Sequence, residues 1–110
     1  MSLNAGCSQE LIGSELVAED ESFADIVVQF VDGLSRRLDT MEDAIRASDF
    51  EALRTAAHQL KGSGGGYGYP ILTERAAELE KGAKAKLLGD CAQQIEELRQ
   101  LAARIVVSAD

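Results

Sequence analysis

Between Phe23 and Ile45 apolar side chains recur at Phe23, Ile26, Val27, Phe30, Leu34, Leu38, Met41 and Ile45, mostly in steps of three and four. Only a helix brings such positions onto one face, because its period is about 3.6 residues where a strand's is about 2. The pattern predicts one helix of about six turns, beginning after the acidic pair Asp20 and Glu21, which suits the positive end of a helix dipole. Arg46-Ala47-Ser48-Asp49 ends it, and Ser48 or Asp49 can cap the helix that follows. A second clean stripe, Leu88, Cys91, Ile95, Leu98, Ala102 and Ile105, predicts the last helix.

Two more helices fit between these stripes. One runs from about Asp49 to about Gly64, where three successive glycines are expected to end it. The other starts at Pro70, a residue favoured in a first turn, and continues through Leu72, Ala76 and Leu79 to Gly82. A short helix from about Ser14 to Glu19 would lay Leu16 and Val17 over one end. Residues 1–13 are small and polar and are read as a flexible leader, with residues 14–110 as the domain. A chain of 110 residues with 45% hydrophobic side chains, no Trp and one Pro can bury one core. The fold predicted is all-α: an antiparallel up-down-up-down four-helix bundle with a short extra N-terminal helix.

The formal net charge of -8 argues against nucleic acid or an anionic membrane as partner, since both attract basic surfaces. No apolar run is long enough to span a bilayer, and the polar N-terminus lacks a signal-peptide core. A cytoplasmic protein is expected. Two cysteines, Cys7 in the leader and Cys91 on an apolar stripe, are too few and too distant for a disulfide framework or a zinc site, and are read as free thiols.

Against this acidic background one stretch differs. From Ala52 to Thr73 there is no Asp or Glu, while Arg54 and Lys61 give a local charge of +2, leaving 19 acidic against 9 basic side chains elsewhere. The stretch also holds the only histidine, His58. With Leu53, Ala57 and Leu60 turned to the core, His58 faces outward and shares its face with Arg54, Thr55, Lys61 and Gly62. A neutral imidazole nitrogen is nucleophilic near neutral pH, and flanking cations suit an anionic electrophile.

His58-x-x-Lys61-Gly62, with Gly68 ten residues after the histidine, resembles the histidine-containing phosphotransfer (HPt) domain of multistep phosphorelays. The resemblance implies that His58 carries a phosphoryl group, that Lys61 stabilises it and that Gly62 leaves room for the partner. Arg54 is a candidate for electrostatic support from the other side. Gly68 is read as structural, a turn or a close helix contact. Tyr67 and Tyr69 are read as packing over the end of the His58 helix, with a docking surface as the alternative.

The glycine run does not fit a nucleotide loop. A phosphate-cradling Gly-x-x-x-x-Gly-Lys needs a lysine after its last glycine, and none follows Gly66 or Gly68. The resemblance therefore implies a phosphocarrier rather than an enzyme, with no nucleotide, cofactor or metal site of its own. Partners would be receiver domains of response regulators, which bring an aspartate and Mg²⁺, and hybrid histidine kinases. A monomer is expected. Two alternatives stand beside this reading: a non-phosphorylating four-helix interaction module, and the phosphorylated domain of a chemotaxis-type histidine kinase, with ATP as donor through a separate kinase domain.

Overall fold

A computed structural model describes residues 10–109. The long apolar stripe from Phe23 is helical, but it is divided. A single 3-10 turn, Glu21–Phe23, leads into α2, Ala24–Asp32, and after Gly33 the chain resumes as α3, Leu34–Arg46, in place of the one helix that the periodicity predicts. Gly33 keeps right-handed dihedrals (φ -85°, ψ -7°), and its N–H is shared between the carbonyls of Gln29 and Phe30, both at 3.1 Å. With ψ so far from the helical value of about -42°, the turn tightens and the chain bends. Phe30 and Leu34 on either side both remain buried, so the chain faces one core through the bend, but Phe23 and Ile26 at the start of the stripe are exposed.

Helix α1, Glu15–Glu19, precedes this pair, and α4 (Phe50–Gly66), α5 (Pro70–Lys84) and α6 (Leu88–Ala102) follow it. Three corrections arise at their ends. The glycines do not dissolve α4 near Gly64, because Gly64, Gly65 and Gly66 are all helical. Gly82 does not end α5 but lies inside it, where a Cβ would stand 3.2 Å from the Cys91 sulfur. Ile105 belongs to no helix: it forms an isolated parallel bridge with Ile12.

Three connections of three residues join α3 to α4, α4 to α5 and α5 to α6, and all close the same way. Ser48, Gly68 and Lys86 each take a left-handed conformation, with φ of 53°, 96° and 58°. In each, the residue after the left-handed one donates to the third-last residue of the preceding helix: Asp49 to Ala44 (2.8 Å), Tyr69 to Gly64 (2.8 Å) and Leu87 to Gly82 (3.0 Å). A second bond from the left-handed residue itself completes a Schellman cap, which satisfies carbonyls a helix end leaves open. Asp49 then caps the next helix, its side chain accepting from the Ala52 N–H at 3.0 Å.

Helix α3 packs on α4 and α6, and α5 packs on α4 and α6, with α4 and α5 in the most extensive contact. Leu38 and Met41 of α3, Leu53 and Leu60 of α4, Leu72 and Leu79 of α5, and Ile95 and Leu98 of α6 meet in one core. Cys91 is a free thiol buried in that core, whereas Cys7 lies outside the described residues. Outside the core, Arg99 of α6 reaches Asp39 (2.6 Å) and Glu42 (2.9 Å) of α3, and its hydrogen bond holds the Glu42 carboxyl below its ordinary range.

Residues 1–9 of the expected leader lie outside the described residues. Residues 10–13 are paired against the C-terminal segment: the Ile12 N–H donates to the Arg104 carbonyl at 2.7 Å, and the Val106 N–H donates to the Ile12 carbonyl at 2.9 Å. Ser14 then caps α1, its hydroxyl oxygen accepting from the Val17 N–H at 3.2 Å and donating to the Tyr67 carbonyl at 2.7 Å. This sets α1 on the turn that ends α4. Tyr69 is fully buried there, Phe30 stacks on Tyr67 at 4.6 Å between centroids, and the Tyr69 hydroxyl donates to the Val106 carbonyl at 2.6 Å. Burial pushes the Tyr69 hydroxyl up to about 12. Both tyrosines therefore pack. Among the described residues there is no strand, and no helix is long and apolar enough to cross a membrane.

Candidate functional site

Helix α4 buries Leu53, Ala57, Leu60 and Gly64, a stripe in steps of three and four. His58 stands off that stripe, its side chain 64% exposed. Its Nδ1 lies 3.0 Å from Oε2 of Glu80, a carboxylate on the neighbouring helix α5 that is only 7% exposed. The same carboxylate receives Lys61 Nζ on its other oxygen, Oε1, at 2.7 Å. Lys84, one turn beyond Glu80, has its Nζ 3.9 Å from Oε2.

A buried carboxylate without a partner would take up a proton. Here the hydrogen bond from Lys61, followed by that from His58 and the charges of Lys61 and Lys84, holds Glu80 below the ordinary glutamate range against the opposing effect of burial. An ionised carboxylate can only accept, so the imidazole nitrogen facing it must carry the hydrogen. A neutral His58 bonded to this carboxylate is therefore the Nδ1–H tautomer. Nε2 keeps its lone pair at the edge of the ring away from Glu80, and any positive charge that develops on the ring faces a carboxylate.

The α4 backbone beside this cluster is locked to α5. The Thr73 hydroxyl donates to the Lys61 carbonyl at 2.7 Å and accepts from the Gly65 N–H at 2.8 Å. A Cβ on Gly64 would stand 2.8 Å from the Leu72 Cβ and 3.0 Å from the Thr73 nitrogen. The glycines thus let α5 approach α4 closely, which brings Glu80 within reach of His58.

Of the residues singled out from the sequence, His58 and Lys61 are brought together, but through Glu80. Gly62 lies on the exposed face beside them, and a Cβ there would meet nothing within 4 Å. Arg54 is engaged by Glu51, its neighbour one turn back on α4, and Glu51 raises the guanidinium above its ordinary range. Gly68 is the left-handed residue that closes α4, and its carbonyl accepts from the Glu15 N–H at 2.9 Å.

Sequence reasoning missed Glu80 and Lys84. One signal was available, since Glu80 follows Ala76 by four residues and therefore lies on the buried side of α5. Among the described residues no group of three or more His, Cys, Asp or Glu side chains is arranged to hold a metal ion. The family model described as Hpt domain matches residues 25–107, which include α2 from its second residue, all of α3 to α6 and every residue of this cluster. No curated protein and no solved structure matches the chain.

Proposed function

Because the chain belongs to the Hpt domain family, whose members are phosphocarrier modules of phosphorelay signalling, we propose that His58 Nε2 is the atom that accepts the phosphoryl group and passes it on. The observation that carries this reading is the exposed imidazole whose Nδ1 is held at 3.0 Å by a buried carboxylate. A phosphocarrier needs one nucleophilic nitrogen, free of its proton and open to a partner.

In the step proposed, the Nε2 lone pair attacks the phosphorus of an aspartyl phosphate on a receiver domain. The P–N bond forms as the P–O bond breaks, and that bond's electron pair leaves with the aspartate carboxylate. No proton moves: the ring, already protonated at Nδ1, becomes a phosphoimidazolium facing Glu80. Lys61 turns its ammonium to the phosphoryl oxygens, whose charge is what such transfers chiefly need stabilised. Gly62 leaves the approach open. Arg54, held by Glu51, adds positive charge at longer range. The reverse step returns the group, because the P–N bond stays reactive.

The aspartate and its Mg²⁺ belong to the receiver, of a response regulator or a hybrid histidine kinase, and this chain supplies neither nucleotide nor metal. We read α3 to α6 as an antiparallel up-down-up-down four-helix bundle, a reading supported by the three short connections. We also read the chain as a cytoplasmic monomer, since one bundle closes its own core.

The test is to mix the protein with a phosphorylated cognate receiver and follow the label. An acid-labile, alkali-stable phosphoprotein is expected, with His58→Gln unlabelled. Equal labelling of that variant would overturn the assignment.

A further inference from the structure

Glu80 has two oxygens and three neighbouring side-chain nitrogens. Lys61 holds Oε1 at 2.7 Å, within hydrogen-bond distance, and His58 holds Oε2 at 3.0 Å. Lys84 Nζ waits at 3.9 Å from Oε2, too far for a hydrogen bond but inside ion-pair range. Lys84 shares α5 with Glu80, its side chain is 61% exposed, and its one ion pair among those of the described residues is with Glu80.

Lys61 has two employers. At rest it is the main group keeping Glu80 charged, yet the phosphoryl group on Nε2 needs a cation too, and Lys61 is one turn from His58 on the same helix. When Lys61 swings away, a carboxylate that is 7% exposed loses its closest cation. Left so, it would tend to take up a proton. A protonated Glu80 can donate to Nδ1, which then must carry no hydrogen, and the proton of the neutral ring would sit on Nε2. The nucleophilic nitrogen would be lost as its electrophile arrived.

We propose that Lys84 is a positioning residue for the transfer: it closes on Glu80 as Lys61 leaves for the phosphoryl oxygens, and so keeps Glu80 ionised and His58 in its Nδ1–H form throughout the step. This rests on the reading of His58 as phosphocarrier. The titratable groups facing Glu80 are His58 and Lys61 from α4 and Lys84 from α5, with Arg54 of α4 acting at longer range.

The experiment is a double-mutant cycle read at Glu80 and His58. The Glu80 side-chain carboxyl is titrated by carbon NMR, and the His58 tautomer is read from its nitrogen shifts, in wild type, K84M, K61M and K61M/K84M. K61M stands for the state in which Lys61 has left. With Lys61 present, K84M is expected to leave the Glu80 midpoint almost unmoved. In the K61M background it shifts that midpoint upward and adds the Nε2–H tautomer to the His58 spectrum. Equal effects of K84M in both backgrounds, or none in either, would overturn the proposal. If the double variant melts below the titration temperature, K61Q/K84Q replaces it.

A second arm loads the proteins with phosphoramidate. K84M is expected to load up to about fivefold more slowly than wild type, the factor that corresponds to about 1 kcal/mol. Its phosphorylated form should show a higher Glu80 midpoint than phosphorylated wild type, and an identical midpoint counts against the proposal. Failure of wild type to load on His58 would refute the carrier reading instead, and the cycle on unphosphorylated protein would still decide the role of Lys84.

Discussion

The close contact between α4 and α5 can be tested with a single methyl group. At Gly64 an added Cβ would lie 2.8 Å from the Leu72 Cβ and 3.0 Å from the Thr73 backbone nitrogen. Carbon atoms in good contact sit about 3.5–4.0 Å apart, so the first turn of α5 would have to retreat. Neither obstructing atom is the tip of a flexible side chain that could turn aside. Such overpacking costs about 1–3 kcal/mol. Against it stands the gain of about 1 kcal/mol for replacing a helical glycine by alanine. Gly62→Ala isolates that gain, because its Cβ would meet nothing within 4 Å. The difference between the two variants is therefore the clash alone, about 1–3 kcal/mol. Urea unfolding followed by far-UV circular dichroism should show Gly62→Ala more stable than wild type and Gly64→Ala the less stable of the pair by that amount. In melting temperature the gap is at least about 4 °C for a domain near this size. If the two variants agree within about 0.5 kcal/mol, a margin within which independent substitutions usually add, close helix approach is not why residue 64 is glycine.

Tyr69→Phe removes the donor to the Val106 carbonyl and should cost about 1 kcal/mol at neutral pH. Burial raises the folded-state value of Tyr69 from 10.0 to about 12, so its contribution is complete below about pH 10 and lost as pH rises towards 12; alkaline melting curves of wild type and Tyr69→Phe should converge across that window, and a constant gap would contradict the assignment. Glu80 is displaced in the other direction, held low chiefly by Lys61, so its stabilising effect is present above the unfolded glutamate value and fades as pH falls through the folded one. The stability advantage of wild type over Glu80→Gln should therefore shrink on acidification below about pH 4.5, and an advantage that grows there would refute the pairing. Lys86→Gly relieves a left-handed lysine at an exposed turn and should raise the urea midpoint by the equivalent of about 0.5–1 kcal/mol without changing the slope; a lowered midpoint would mean that the turn is not strained.

The helices were legible because their stripes are long: Leu53, Ala57 and Leu60 of α4, and Cys91, Ile95 and Leu98 of α6, occupy the core that their spacing predicts. The ends were less so. Two of the three left-handed caps are filled by Ser48 and Lys86 where glycine is the usual residue, while Gly64 and Gly65, which look like breakers, serve helix contact. Gly64 reads as a helix end from its own neighbourhood, and only the position of Leu72 and Thr73, fixed by the turn at Gly68, makes it an interior residue. His58, Lys61 and Gly62 could be singled out because helical spacing puts them on one face. Glu80 could be placed on the buried side of α5 by the same spacing. Its partners could not be named, since they depend on the register between two helices, and that register is set by glycine contacts and a threonine hydroxyl.

The same register changes the meaning of the positive island. Read along the chain, residues 52–73 carry a charge of +2 and no carboxylate. Folded, the stretch receives Glu80 from α5, and Arg54 is engaged by Glu51. Around His58 there remain Lys61 and Lys84 against Glu80, a net charge of one rather than two. A site with two unengaged lysines would attract anions at rest and bind them without discrimination. On the proposed reading, a lysine already held by a buried carboxylate is released only to serve a phosphoryl group bonded to Nε2, within reach of the same helix turn, while Lys84 takes its place on Glu80. On the same proposed reading Glu80 acts on both components of the site: it directs the ring nitrogen that reacts, and it makes the stabilising cation conditional on the reaction taking place.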